Sequence, residues 1–253
     1  FAKGGELSVP LTSGVVDDST LTDLGLNTNI PGLSLTTADV NTMTIGASNV
    51  EAFVGVNGPY WNATNPDGIP DRDPVTGQIV ASEINSSAVG LVIDTLTFGL
   101  FLGTPTLPGD PIRYAALKAT ASDVAFVGIN GLTATAQNID IEVNMSSPTL
   151  EGLPVLPVIN FSGLPGGSYE VPTGALNTDG TPKTVSLDFS TPLIRASSTW
   201  IQLDLFGVLD VQRSIAFALE PQEPVTLSKG SQATLTTMTG GATDVSGFVG
   251  YDG

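Results

Sequence analysis

The chain contains neither cysteine nor histidine among its 253 residues. Without these side chains it can form no disulfide, no Ser-His-Asp triad, no Cys-His pair and no His-based zinc site. Paired carboxylates of the glycosidase type remain the one catalytic arrangement that the composition leaves open. Acids such as Asp140, Glu142 and Asp204 alternate with apolar residues, so a solvated strand face accounts for them. We therefore expect that the protein is not an enzyme.

Basic residues are also scarce, since 8 Lys and Arg stand against 25 Asp and Glu and give a net charge of −17. Such a charge repels nucleic acid and anionic lipid and favours divalent cations as counter-ions. The richest apolar stretch, residues 88–102, is interrupted by Asp94 and Thr97 and is too short to span a bilayer. We predict no nucleic-acid partner and no membrane insertion. No signal peptide or anchor is recognisable, as expected for an internal fragment of a longer protein.

Apolar and polar residues alternate with a period of two in most of the chain, for example over 139–143, 201–205 and 215–219. This period is typical of half-buried strands, and 29 glycines and 18 prolines disfavour helices. The sequence predicts an all-β, elongated repeat architecture with no substantial helix. A β-solenoid and a stacked β-sandwich or meander both remain open. Turn signals such as Asn57-Gly58 and Asn130-Gly131 separate the predicted strands, and the Pro-rich stretches 147–157 and 219–224 are candidate linkers or edge loops.

The end of the chain repeats a segment near its start. Residues 241–253 align without a gap on residues 46–58, and Phe1-Ala2 resembles Phe217-Ala218. A fixed offset of this kind is the signature of a tandem array. We therefore predict that residues 1–216 form one full repeat unit and that residues 217–253 begin the next.

A smaller repeat locates an insertion. Residues 121–131 match residues 47–58, and the strand pattern then resumes after Gly131 as it does after Gly90. The second copy has only the Asn130-Gly131 turn where the first has a long segment. Residues 59–89, approximately, are therefore predicted to be an insertion.

The insertion holds the one motif with site chemistry, the run Asn62 to Asp73. Calcium needs six to eight oxygens, which loops provide by spacing carboxylates two apart around a glycine and a backbone carbonyl. Here Gly68 is the turn residue, and the predicted calcium ligands are Asn65, Asp67, the Ile69 carbonyl, Asp71 and Asp73. The run 67–71 resembles the calcium loops of thrombospondin type 3 repeats and, more loosely, those of dockerins and EF-hands.

The loop departs from that calcium pattern at two positions. Ala63 has no side-chain oxygen at the first position, and Pro74 stands where a carboxylate is expected. Asn62 or Glu83 could supply the missing oxygens. The alternative is a solvated acidic turn, because Asp, Asn, Gly and Pro are also turn formers.

Tyr60 and Trp61 precede the acidic loop directly. As an aromatic platform they could stack on a sugar ring, which makes them candidate ligand-binding residues and surface glycans a candidate partner. The alternative is that they pack the insertion onto the sheet, since aromatic side chains bury a large apolar area when they do so.

The chain between residues 34 and 220 resembles the tandem repeats of very large bacterial surface or secreted proteins of the adhesin-like, calcium-dependent kind. The stretches that carry the likeness are 114–121, 127–132, 141–144, 185–190 and 215–219. The resemblance implies an extracellular or cell-surface structural role, with neighbouring copies as partners and no catalytic residues. We expect a calcium-binding repeat module of an adhesin, filament or matrix protein. A carbohydrate-binding module and a filament subunit completed by the neighbouring chain are the alternatives.

Overall fold

The protein is built from β-strands. The computed structural model describes residues 1–12, 36–64, 66, 68–75, 78–147, 157–226 and 228–250. Within these ranges the only helical elements are two single 3-10 turns, Ala81–Glu83 and Phe161–Gly163. The all-β prediction is therefore confirmed, and no helix in the described part of the chain is long and apolar enough to cross a membrane.

Ten strands make up two sheets. The strands are β1 (Ala2–Pro10), β2 (Thr37–Val56), β3 (Val89–Pro105), β4 (Arg113–Val127), β5 (Leu132–Ser147), β6 (Tyr169–Leu176), β7 (Pro182–Leu187), β8 (Leu193–Leu205), β9 (Leu209–Thr226) and β10 (Gln232–Val249). Eight form one antiparallel sheet in the order β1-β2-β3-β4-β5-β8-β9-β10, while β6 and β7 pair separately. Because sequential strands are neighbours everywhere except between β5 and β8, the large sheet is a meander.

A row of bulges and polar side chains crosses the large sheet at mid-strand. Asn49 on β2, Thr95 on β3, Asn138 on β5 and Asp244 on β10 all have φ between 48° and 55°, and Asn and Asp tolerate this left-handed conformation best. The Thr95 hydroxyl donates to the Ser122 hydroxyl at 2.6 Å. Register shifts accompany the row on β2 and β10. Such bulges bend strands and increase their twist.

The main core lies at one end of the strands, under the segment 157–189. Phe101 on β3 packs edge-to-face against Phe161 and Tyr169, with ring centroids 5.3 and 5.2 Å apart. Asn144 on β5 is buried and donates to the carbonyls of Ile159 and Thr191 at 3.0 Å each, which fixes the segment to the sheet. The buried cluster also contains Val9, Leu11, Val40, Ile112, Tyr114, Ala116, Ile159, Leu164, Val171, Leu187 and Phe189.

The segment 57–88 connects β2 to β3 at the other end of the strands. We call it the insert; the corresponding connection between β4 and β5 consists of residues 128–131 only. Its side chains Tyr60, Ile79 and Ile84 lie near Val124 and Ala125 on β4. The two ends of the large sheet are therefore covered by different parts of the chain.

The stretch 219–224, expected as a linker or edge loop, belongs to β9 instead. A linker or edge loop is therefore wrong for this stretch. β8 pairs with β9 only as far as Leu219, and beyond it β9 pairs with β10 alone among the described strands. A proline is tolerated where its missing N–H faces an unpaired side. The boundary predicted between residues 216 and 217 also falls inside β9, and residues 148–156 of the other candidate linker lie outside the described residues.

Candidate functional site

The predicted calcium ligands lie in the first half of the insert. Asn65 and Asp67 are outside the described residues. Ile69 is exposed, Asp71 is exposed and Asp73 is partly buried. The Asp73 carboxylate accepts from the Val75 amide at 2.8 Å, and its own amide donates to the Gln78 carbonyl at 2.9 Å. These bonds close a short turn that brings Asp73 back toward the later part of the insert.

Glu83 organises the insert from within. Its side chain is 2% exposed although it is charged. Oε1 accepts from the Thr64 amide at 2.9 Å and from the Thr64 hydroxyl at 2.5 Å, and Oε2 accepts from the Asp71 amide at 2.6 Å. The hydrogen bonds from Thr64, followed by the bond from Asp71, hold the pKa of Glu83 below its ordinary value.

Glu83 was a candidate for a missing calcium ligand, and the structure gives its carboxylate a different set of partners. Both oxygens accept hydrogen bonds from residues of the insert itself. Its backbone carbonyl also accepts from the Asn62 amide at 2.7 Å. Glu83 therefore links the segment before the predicted calcium loop to the segment after it, and it fixes the amide of Asp71 while leaving the Asp71 carboxylate exposed.

Arg72 joins the insert to the sheet. One guanidinium nitrogen donates to Asp94 Oδ2 at 2.8 Å, and the other donates to Asp94 Oδ1 and to Glu51 Oε1, the latter at 2.7 Å. The side chains of Glu51 and Asp94 are only 10% and 12% exposed. A planar guanidinium matches a carboxylate with two parallel bonds, so this contact has both strength and a defined geometry.

Burial, reinforced by the neighbouring Asp94 carboxylate, raises the pKa of Glu51 to about 7, although Arg72 acts in the opposite direction. The second oxygen of Glu51 is buried without a hydrogen-bond partner. Asp94 also lies directly across from Asp123 on β4. Glu51 and Asp94 therefore share one arginine, and a proton on Glu51 relieves the repulsion between these two acids.

No group of three or more His, Cys, Asp or Glu side chains in the described ranges is arranged to hold a metal ion. Two of the five predicted calcium ligands, Asn65 and Asp67, are outside those ranges. The calcium site therefore stays a prediction, with Ile69, Asp71 and Asp73 as its described part.

Tyr60 and Trp61 have different environments. Trp61 is partly buried and pairs through its backbone with Ile84. Tyr60 lines a cleft of about 240 Å³ between the insert and the sheet, and its carbonyl accepts from the Asn85 amide at 2.8 Å. The polar residues of the cleft are Tyr60, Gln78, Asp94, Asp123, Thr135 and Gln137, and the apolar ones are Ile79, Ile84, Val92, Val124, Ala125 and Val127.

A second polar cluster involves the strand acids that the sequence placed on a solvated face. Glu142 is only 12% exposed, accepts from Arg195 Nε at 2.7 Å and lies 3.5 Å from Lys118 Nζ. Burial raises the pKa of Asp140, with the charge of Glu142 acting in the same direction. Lys118 also approaches Asp188 at 3.3 Å. Asp140 and Glu142 are thus parts of a half-buried ionic cluster, because segment 157–189 folds over this face and excludes water from it.

The sequence reasoning did not identify Arg72, Glu51 and Asp94 as a group. One signal for it was present, since Arg72 is the only basic residue between positions 57 and 88 of a strongly acidic chain. Its two partners lie on strands flanking the insert and show no spacing that distinguishes them.

No protein-family model matches the chain, and no curated protein or solved structure is significantly similar to it.

Proposed function

We propose that the protein is a structural, calcium-binding repeat module of an extracellular surface protein, adhesin or filament. The observation that supports the repeat is the likeness of two strands. Residues 46–56 and 241–249 of the aligned segments form the second halves of β2 and β10, and the aligned residues Asn49 and Asp244 have φ of 54° and 55°.

The neighbours of these two strands also correspond. Ala2 of β1 lies opposite Ile45 of β2, and Phe217 of β9 lies opposite Gly240 of β10, which aligns with Ile45 in the repeat. The structural correspondence between β1 and β9 thus differs by one residue from the alignment of Phe1 with Phe217. In this proposal β9 and β10 begin a second unit as β1 and β2 begin the first.

The repeat is tested by lengthening the chain. Residues 59–253 are appended after Gly253, so that segment 241–253 continues as segment 46–58 does. Because units of an array are stabilised by their neighbours, the melting temperature of the longer chain should exceed that of the original. Equal melting temperatures, with a compact original monomer in solution scattering, would contradict the repeat and favour a self-contained binding domain.

Calcium is the proposed counter-ion of the insert. Glu83 holds the amide of the exposed Asp71, and Asp73 closes its own turn. The Asp71 and Asp73 carboxylates and the Ile69 carbonyl would bind the ion, and Asn65 and Asp67 would complete the oxygen set. In the test, calcium chloride is compared with sodium chloride at equal ionic strength. Calcium should raise the melting temperature of the wild type and of the exposed control Asp39→Asn further than sodium does, and Asp71→Asn should lose this difference. Equal rises in both salts would leave only charge screening.

A second candidate function is binding of a neutral sugar, which is favoured by the position of Tyr60 in the cleft. An aromatic ring beside carboxylate and amide groups provides both a stacking surface and hydrogen-bond partners. Titration with a panel of neutral oligosaccharides tests it: Tyr60→Ala should abolish binding, whereas Phe206→Ala, which removes an exposed aromatic side chain of the β8–β9 turn, should not. No binding by the wild type would exclude this function.

A further inference from the structure

The outer edge of the large sheet at β10 is open in the described part of the chain. β10 is 18 residues long and pairs with β9 on one side, and no other described strand pairs with it. Asp244 is its one charged residue, and it contains neither lysine nor proline. Met238, Val245, Phe248 and Val249 are 71%, 58%, 49% and 79% exposed. A long, uncharged and partly apolar edge is a template for pairing with another chain.

The opposite edge of the same sheet has the features that prevent such pairing. β1 is 9 residues long, and it carries Lys3, Glu6 and Pro10. Charged residues and proline on a short edge strand are the usual protection against edge-to-edge association. The difference between the two edges indicates that β10 has a partner and that β1 does not.

The repeat within the chain shows how a sequence like that of β10 is accommodated. The aligned strand β2 has β1 on one side and β3 on the other. Met43 of β2 is 47% exposed, whereas the aligned Met238 of β10 is 71% exposed. Pairing on its second side would thus give β10 the environment that the related sequence has in β2.

We propose that the partner is a second copy of this chain, joined β10 to β10 in antiparallel orientation about a two-fold axis. Two identical edges of 18 residues can pair along almost their whole length. With about one hydrogen bond per residue, such a contact has more hydrogen bonds than the roughly ten of a typical interface. Pairing with β1 would cover only half of β10. An isologous contact of this kind closes after two copies and produces one continuous sheet.

The composition of β10 suits this symmetry. Residues directly opposite each other lie on the same face of a sheet, so the two-fold axis passes through one residue. An axis at Gly241, near the middle of the strand, sets glycine opposite glycine. Asp244 then lies opposite Met238 of the other copy, so that the two Asp244 carboxylates are kept apart. Thr239 lies opposite Thr243, which gives the test its substitution sites. This contact does not depend on calcium. A following unit of the proposed repeat would pair with the same edge of β10, so the lengthened chain would not form it.

Sedimentation equilibrium over a concentration series tests the dimer. The wild type should approach twice its monomer mass of 25.9 kDa and form no larger species. The double variant Thr239→Lys/Thr243→Lys places like charges opposite each other twice and should weaken dimerisation about tenfold or more. The control Val75→Lys/Leu176→Lys adds the same charge at sites that are 90% and 67% exposed and should dimerise as the wild type does. A wild type that stays monomeric, or a double variant with unchanged dimerisation, would overturn the proposal.

A distance measurement identifies the edge and does not require the lysine variant to fold. Because the chain has no cysteine, Thr239→Cys accepts a single spin label. In the two-fold dimer the two labels should lie within about 20 Å of each other. In a head-to-tail contact with β1 they would be separated by the width of eight strands, about 40 Å. The longer distance, or a ladder of growing oligomers, would overturn the two-fold contact in favour of a filament.

Discussion

The guanidinium of Arg72 in the insert binds both carboxylate oxygens of Asp94 on β3. The contact spans 22 residues of sequence and attaches an irregular segment to β3, an interior strand of the large sheet. Arg72 also neutralises part of the charge of Glu51 and Asp94. We infer that this pair fixes how the insert sits on the sheet.

Replacement of Arg72 should therefore lower the free energy of unfolding. Arg72→Met leaves two largely buried carboxylates without their cation, and we expect a loss of about 2–4 kcal/mol in the free energy of unfolding. Urea denaturation at pH 7 measures it. Arg195→Met is the matched control, because Arg195 also binds a carboxylate but is 56% exposed, and it should cost under about 1 kcal/mol. Similar losses in both variants would contradict a special role for Arg72.

Glu51 should make stability depend on pH. Folding raises the pKa of Glu51 from 4.5 to about 7, so the folded state binds this proton more tightly than the unfolded state does. The contribution is fully present below about pH 4.5 and is lost as the pH rises to about 7. Glu51→Gln mimics the protonated side chain and should flatten the fall in stability between pH 5 and 7.

The comparison with wild type isolates Glu51, because Asp110 and Asp140, whose pKa values are also raised by burial, are present in both proteins. Glu6→Gln on the exposed surface of β1 removes the same charge and should keep the wild-type slope. The free energy of unfolding is measured by urea titration at several pH values. An unchanged slope in Glu51→Gln would refute the prediction.

Glu83→Gln should loosen the insert without melting the sheet. The amide keeps the shape of the side chain but loses the charge that attracts the donors on Thr64 and Asp71. We expect the amide protons of these two residues to exchange roughly tenfold to hundredfold faster, while exchange in β4 and β5 is unchanged. Hydrogen exchange followed by NMR measures both.

The matched control is Glu170→Gln, since the pKa of Glu170 is also lowered, first by its bond from the Thr184 hydroxyl. That change should affect only the β6–β7 hairpin. For Glu83 and Glu170 alike, the lowered pKa means that stability is present above the ordinary carboxyl range and is lost as the pH falls below it. Uniform acceleration over the whole protein in Glu83→Gln would show that the insert is not a separate unit.

The aromatic core should carry much of the stability at the other end of the strands. Phe161→Ala removes a fully buried ring that packs on Phe101, and we expect a loss of about 3–5 kcal/mol. Phe206→Ala removes a ring that is 66% exposed and should cost under about 1 kcal/mol. Thermal and urea unfolding measure both variants, and a small effect of Phe161→Ala would show that segment 157–189 contributes little to the fold.

The period-two alternation of apolar and polar residues was sufficient to predict the fold class, because successive residues of a strand lie on opposite faces of the sheet. The turn signals at Asn57-Gly58 and Asn130-Gly131 also coincide with the ends of β2 and β4. Strand length was less predictable. β9 continues through Pro221 and Pro224 where no described strand pairs with it on the β8 side, which is a property of the sheet rather than of the local sequence.

The candidate site was only partly predictable for the same reason. The acidic loop is visible because its residues are close together in sequence. Glu83 accepts hydrogen bonds from Thr64 and Asp71, and Arg72 donates one to Glu51. These bonds join residues 12–21 apart, and the insert has no regular period. No spacing rule relates such residues, so the contacts that position the loop became visible only in three dimensions.

The left-handed residues Asn49, Thr95, Asn138 and Asp244 form a row across the large sheet at mid-strand, and bulges accompany the row on β2 and β10. On one side of this row the strands pack against the aromatic core, and on the other side the bonds of Arg72 and Glu83 hold the insert. Stability need not be uniform along such strands, and segments on the two sides can open as separate cooperative units. A mechanical force or a change of pH that releases the insert would then leave the aromatic core intact. The strands could open at the insert end while the other end stays folded.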